Sequence, residues 1–267
     1  MNRARRAVPP VAIALAAVGA ALFVLPLVGL LRRAPWSDLW NDLTTQQARD
    51  AIRLSIVCSL WATALSVVFG VPLAWVLARV RFPGRSLVRA LVVLPMVLPP
   101  VVGGVALLYT FQRNGGLVGE WLYDWFGVQF TFSTSGAVLA ETFVAMPFLV
   151  ITVEAGLRTM DARYEDAAAT LGAGRWTVFR RVTLPLIAPA LYAGAALAWA
   201  RALGEFGATI TFAGNIQGRT QTTPLAVYLF LESQPDVAIA LSLVLLVVSV
   251  VVLVALRDRW FGGLRDA

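Results

Sequence analysis

Residues 161–185 read DARYEDAAATLGAGRWTVFRRVTLP. Almost everything on either side of this stretch is oily, whereas it is charged, rich in alanine and punctuated by glycine. Asp161 suits a helix N-cap. Glu165 and Asp166 fall in the first half, where the helix dipole favours negative charge. Ala167, Ala168 and Ala169 are the strongest helix formers, and Gly172 can take the left-handed turn that ends a helix. The spacing therefore predicts a polar helix of about three turns. Tyr164, Ala168 and Leu171 should share one face, and the small alanines suit that face to a narrow cleft. After it, Trp176 and Phe179 can face the membrane, with Arg180 and Arg181 toward headgroups. Leu184-Pro185 opens the next apolar run, since proline is tolerated in a first helical turn. A connection of 158–184 is far longer than joining two helices requires.

Working outward, six apolar stretches are long enough to span a bilayer, at about 20 residues each. They fall at 8–31, 54–78, 90–111, 135–157, 186–209 and 237–256. The 267 residues are 59% hydrophobic and 14% charged, which places the chain among polytopic α-helical membrane proteins. The first run follows Arg3, Arg5 and Arg6. It is too long for a signal-peptide core and lacks a small-residue cleavage signature, so it reads as a retained helix. The expected division is 1–50 (first span and outer interfacial segment), 51–256 (the main transmembrane domain) and 257–267 (a tail).

Arginine placement sets the expected orientation. With both termini inside, fifteen of the 22 basic residues lie in the inner segments, six lie in the outer ones, and Arg201 lies within a span. The net charge of +7 is thus located where topology demands it, not on a nucleic-acid-binding face. The chain is accordingly expected in a prokaryotic cytoplasmic membrane, as a multi-pass protein. There is no histidine and no lysine, and Cys58 is the single cysteine. These absences exclude an internal disulfide, a Cys/His metal cluster and a lysine-bearing phosphate loop. Cys58 reads as a small buried hydrophobe. No catalytic residue, metal ligand or bound cofactor is expected. The outer segments 34–53, with Trp36, Leu39, Trp40 and Leu43 at helical spacing, and 114–130 read as short interfacial helices.

The third span carries Pro95, Pro99, Pro100, Gly103 and Gly104. Proline removes a helical hydrogen bond, and in lipid the freed carbonyls need neighbours or a water-lined cavity. A bent helix around a pathway, with Pro99, Pro100, Gly103 and Gly104 at a gate, is the expectation. Arg201 and Glu205 stand four apart on the fifth span and can pair. Arg201 would sit roughly 24 Å beyond Pro185. The two either line an anion path or only orient helices. Glu141 suits helix packing against Ser or Thr neighbours, and Glu154 can pair with Arg158. In the loop 214–223, Asn215, Arg219 and Thr222 either meet an external binding protein or are simply solvated.

The polar stretch also resembles a known signature. The membrane subunits of ATP-binding-cassette importers carry E-A-A-x3-G-x9-I-x-L-P. Here it reads Asp166-Ala167-Ala168, three residues, Gly172, nine residues, Val182, Thr183, Leu184-Pro185. Asp166 and Val182 are conservative departures, and Glu165 offers a carboxylate one register earlier. The resemblance implies that this helix docks into a separate ATPase subunit, which uses the ATP, and transmits its closure. Glu165, Asp166, Ala167, Ala168, Gly172, Leu184 and Pro185 would carry the coupling. The stretches 94–108 and 200–228 are similar to oxyanion permeases, molybdate permeases in particular, with sulfate, thiosulfate or tungstate as rival cargoes. The likeness spans roughly 51–256. It further implies an extracytoplasmic substrate-binding protein and a second identical permease copy. The rival of another class is an ion-gradient-driven transporter with Glu141 and Glu205 as proton sites. An intramembrane enzyme lacks the usual catalytic pairs.

Overall fold

The computed structural model describes residues 9–261, and the side chains of residues 9–255. It is all α-helical among these residues. The chain opens with α1 (Pro10–Arg33), the short outer α2 (Leu39–Thr44) and the long α3 (Gln46–Arg79). Next come α4 (Arg85–Val97), α5 (Pro100–Phe111) and the short α6 (Gly119–Phe126). The second half holds α7 (Thr134–Thr159), α8 (Arg163–Thr170), α9 (Arg175–Val178), α10 (Leu184–Leu203), α11 (Gly207–Phe212), α12 (Thr223–Ser233) and α13 (Pro235–Phe261). Five helical stretches are long and apolar enough to span a membrane, or six if α4 and α5 count as one broken span. Six spans were expected. The termini at 1–8 and 262–267 lie outside the described residues, and α13 continues through 257–261, the first part of the segment expected as a tail.

The centre is a trio of α3, α7 and α10. Leu77, Leu149, Val150, Val153, Leu157 and Ile187 fill it. Close approach relies on small residues, as in membrane helix packing generally. Gly194 lies against the Leu149 backbone, where an added Cβ would meet it at 3.3 Å. By contrast α1 buries no residue and packs only lightly, against α13, which leaves most of its surface for lipid or another chain. At the far end from the arginine-rich connections, α2 and the first turns of α3 stand beyond the expected span. Thr45 caps α3 by accepting from the Ala48 amide, and Trp36 and Trp40 remain exposed as anchors. The 114–130 segment folds into α6, where the Arg113 guanidinium lies 3.7 Å from the Tyr123 ring centroid.

Two spans differ from expectation. The third is not one bent helix: α4 and α5 meet at 118°. Leu98 and Pro99 are extended, with ψ of 137° and 130°, because a residue preceding proline is driven out of the helical region. The fifth span starts earlier and ends earlier than 186–209. It runs from Arg175 to Leu203 and includes a π-helical turn at Phe179–Thr183. Pro185 offers no amide to the Arg181 carbonyl, so the regular ladder is interrupted there. Residues 204–206 then break the chain, and α11 is a separate helix.

The two breaks meet. A Cβ on Gly104 would come within 2.8 Å of the Ala208 carbonyl oxygen, and one on Gly207 within 2.8 Å of Pro100. Gly104→Val should therefore separate α5 from α11, at a cost of about 1–3 kcal/mol from overpacking. The expected readout is a lower yield of monodisperse protein in detergent, with Gly19→Val, which meets nothing within 4 Å, as the neutral control.

Candidate functional site

The first element of interest is α8, which stands off the arginine-rich end of the trio. It closes as the sequence requires. Gly172 has φ 85°, the Gly172 amide donates to the Ala169 carbonyl and the Ala173 amide to the Ala168 carbonyl. That pair of bonds is a Schellman termination. Its start is shifted: Ala162 occupies the cap position without a side-chain bond. Asp161 acts one residue earlier, its Oδ1 accepting from the Arg163 amide at 3.0 Å. The face is as expected in its two large residues, with Tyr164 59% and Leu171 88% exposed and uncovered by the rest of the chain.

The two neighbouring acids have opposite fates. Asp166 is exposed, whereas Glu165 turns inward. Its Oε2 stands 3.2 Å from Arg79 Nη2 at the end of α3. Its Oε1 accepts from Thr183 Oγ1 at 2.6 Å, in the π-helical turn that leads into α10. One carboxylate therefore ties α8 to two members of the central trio. Sequence reading pairs neither Arg79 nor Thr183 with it. Arg79 lies 86 positions upstream, and no local pattern joins the two. Leu184 and Pro185 continue directly from this junction into α10.

A second ionic cluster lies beside it. Glu154, near the end of α7, has a side chain only 8% exposed and receives Arg158 at 2.9 Å, the expected i,i+4 pair. It also receives Arg89 from α4, which the sequence did not suggest. Arg89 reaches the Leu77 carbonyl as well, so α3, α4 and α7 are fastened at one point.

The third constellation is inside the membrane region. Arg201 and Glu205 pair at 2.5 Å, as expected. Glu205 is not on the fifth helix, however. It lies in the break, 1% exposed, and its Oε1 accepts from the Ala208 amide at 2.8 Å. It thereby satisfies one of the unpaired amides that begin α11. Arg201 keeps about a quarter of its side chain accessible. Glu141 is 1% exposed, and its Oε2 has no hydrogen-bond partner. Cys58 is fully buried, as expected.

The expected gate residues separate into two roles. Pro99 and Pro100 make the bend between α4 and α5. Gly103 and Gly104 are buried contacts, against Phe143 and α11 respectively. None of the four lines the apolar cavity of about 320 Å³ behind the bend, which is bounded by Leu73, Pro95, Leu107, Phe143 and Pro147 among others. The loop residues separate likewise. Arg219 is exposed, while its carbonyl accepts from Thr134. Thr222 is 1% exposed and cannot face a partner in this arrangement. Asn215 is half-buried and turns inward to the Leu225 carbonyl. Thr220 closes the loop on itself by accepting from the Ile216 amide and donating to the Gly214 carbonyl.

Long apolar helices, two broken ones meeting each other and a polar helix tethered outside the bundle define a polytopic membrane protein. The comparisons with known proteins agree. The family described as binding-protein-dependent transport system inner membrane component matches residues 70–262, and the chain belongs to it. The molybdenum transport system permease protein ModB of Mycobacterium tuberculosis is 49% identical over 246 residues, covering 92% of both chains. The ModB of Escherichia coli K12 is 43% identical, over 82% of this chain and 96% of its own. The sulfate transport system permease protein CysT of the same strain is 40% identical, over 88% and 86%. Among solved structures, a bacterial ABC transporter that imports alginate aligns with TM-score 0.70 at 22% identity, over 91% of this chain and 92% of that one. It confirms the fold. A second structure of the alginate transporter, equally similar in fold, includes an alginate-bound periplasmic protein.

Proposed function

We propose that this chain is the permease subunit of an ATP-driven oxyanion importer whose cargo is molybdate. The observation that carries the coupling is the position of α8. Glu165 ties it to the end of α3 and to the turn that opens α10, while Tyr164 and Leu171 face outward. The cargo assignment rests on relatives named for molybdenum transport at 43–49% identity over most of the chain. The arginine-rich end, with α8, is cytoplasmic in this reading. An ATPase subunit receives the exposed side of α8, on which Asp166 and Ala167 are open and Ala168 is half-buried. Its closure pulls Glu165, and Glu165 pulls Arg79 and Thr183 together. The trio then tilts as one body, and the α5–α11 contact at Gly104 and Gly207 opens or closes the path. Arg201, at the far end, supplies positive charge to an incoming anion. A second identical copy forms the other wall, and an extracytoplasmic binding protein delivers the cargo near Arg219. The chain itself performs no covalent chemistry and binds no cofactor; ATP belongs to the partner.

The test is uptake in a molybdate-auxotrophic host carrying this chain with its ATPase and binding protein. Radiolabelled molybdate should accumulate, and only with hydrolysable ATP. Accumulation of sulfate without molybdate would reassign the cargo. Uptake driven by a proton gradient without any ATPase would remove the class altogether. In the same assay Gly172→Asp should leave the chain inserted in the membrane but fail to retain the ATPase. An L-residue is strained at φ 85°, and a negative charge is added where the dipole disfavours it. Co-purification of the two subunits measures this directly.

A further inference from the structure

At the arginine-rich end, a cavity of about 550 Å³ opens between the α3–α4 connection and the end of α7. It is lined by Ala78, Phe82, Gly84, Arg85, Ser86, Arg89 and Arg158. Three guanidinium groups thus bound one space, and no acid is among the lining residues. Glu154 is close by, but both its ion pairs, to Arg89 and Arg158, leave the three arginines with a net excess of positive charge. Arg85 is the least committed of the three. Its Nη2 makes one long bond, 3.5 Å, to the Ala78 carbonyl, and its buried Nε has no partner. The N-terminus of α4 opens on the same space. Gly84 stands at the cap without a side-chain bond, and the Ser86 and Leu87 amides have no backbone acceptor among the described residues. Forked donors, a free helix start and a net positive field make up the chemistry that holds a phosphate group.

We propose that this cavity binds a tetrahedral phosphate-type anion, held by Arg85, Arg89 and Arg158 and oriented by the start of α4. Two sources share that chemistry. One is the headgroup of an anionic phospholipid: Leu87 and Leu91 continue the α4 surface as exposed apolar residues on which acyl chains can lie. The other is a soluble oxyanion. The site is separate from Arg201 and from α8, so it survives or falls independently of the transport reading.

The experiment uses the full chain in nanodiscs. One arm titrates inorganic phosphate into discs of phosphatidylcholine at constant ionic strength. The other replaces part of the lipid by phosphatidylglycerol and adds no phosphate. The thermal unfolding midpoint should rise in at least one arm. A rise with phosphatidylglycerol alone assigns the site to a headgroup; a rise with phosphate in neutral discs assigns it to a soluble oxyanion. In the responding arm Arg85→Gln should weaken the apparent affinity about tenfold, the factor for losing one charge-assisted contact. Arg85→Lys, which keeps the charge without the fork, should fall between. Arg180→Gln removes the same charge elsewhere on this end and should change nothing. The proposal is overturned if neither probe raises the midpoint, or if Arg180→Gln abolishes the response as fully as Arg85→Gln.

Discussion

Glu165→Ala is expected to reduce uptake by at least tenfold while ATP hydrolysis by the associated complex continues. The physical reason is the position of a single carboxylate. Glu165 and Arg79 are each about one-fifth exposed, so their attraction is less screened than that of a surface pair. Such a pair is worth about 1–3 kcal/mol, between the values for exposed and buried ion pairs. At roughly 1.4 kcal/mol per tenfold, that is enough to move a coupled equilibrium by one to two decades. Arg79 Nε and Nη2 are buried and make no hydrogen bond even in the intact structure, so removing the carboxylate takes away the ion pair that compensates this guanidinium. The α8 helix then remains covalently attached but mechanically slack. Glu165→Gln separates the two links: it keeps an acceptor for Thr183 and loses the charge for Arg79. It should fall between wild type and Glu165→Ala. Thr183→Val removes only the other link. Proteoliposomes that report hydrolysis and uptake together make the measurement. Wild-type uptake by Glu165→Ala would show that α8 transmits nothing through this contact.

The polar helix was legible because it is local. Its alanines, its acids and Gly172 lie within twelve residues, and the rules that start and stop helices act over that range. The expected Asp161 cap moved by one residue because Ala162 already has helical dihedrals, φ −63° and ψ −19°. The apolar spans were legible because length and hydropathy are sums over a window, insensitive to single residues. The two breaks were legible only in part. Three prolines announce a disturbance between 95 and 100, but a kinked helix and a 118° break have the same composition. The 118° arrangement brings α5 against α11, more than a hundred residues later, at Gly104, and no local pattern announces that contact. The long-range ion pairs left no trace in one sequence. Arg79 with Glu165, and Arg89 with Glu154, join residues 86 and 65 positions apart, and each arginine could equally have served the inner-charge bias alone. Loop 214–223 misled for a related reason. Its polar residues look solvated, yet Thr220, Gln221 and Thr222 are buried, and the Thr220 hydroxyl replaces backbone partners that a tight loop cannot supply itself, accepting from the Ile216 amide and donating to the Gly214 carbonyl.

Glu205→Leu is expected to cost about 3–5 kcal/mol, the penalty for leaving a buried charge without its partner. Arg201 would remain in an apolar region, and the Ala208 amide would lose its acceptor at the start of α11. The result should be poor insertion or a strongly lowered unfolding temperature, measured in detergent. Glu205→Gln keeps an acceptor for Ala208 and should retain the α11 position better, while still leaving the guanidinium uncompensated. The double variant Arg201→Leu/Glu205→Leu decides what the pair is for. Removing both charges abolishes the electrostatic cost, so most of the lost stability should return; replacing a buried pair by apolar residues is often neutral. If Arg201 serves only to hold α10 against α11, uptake returns with stability. If its accessible quarter attracts the anion, the double variant folds and assembles but its apparent affinity for external molybdate remains weakened. The second outcome is the expected one. A pair needed only for architecture gains nothing from leaving the arginine partly open, whereas an anion-attracting arginine needs both that opening and a carboxylate close enough to keep the anion from being trapped.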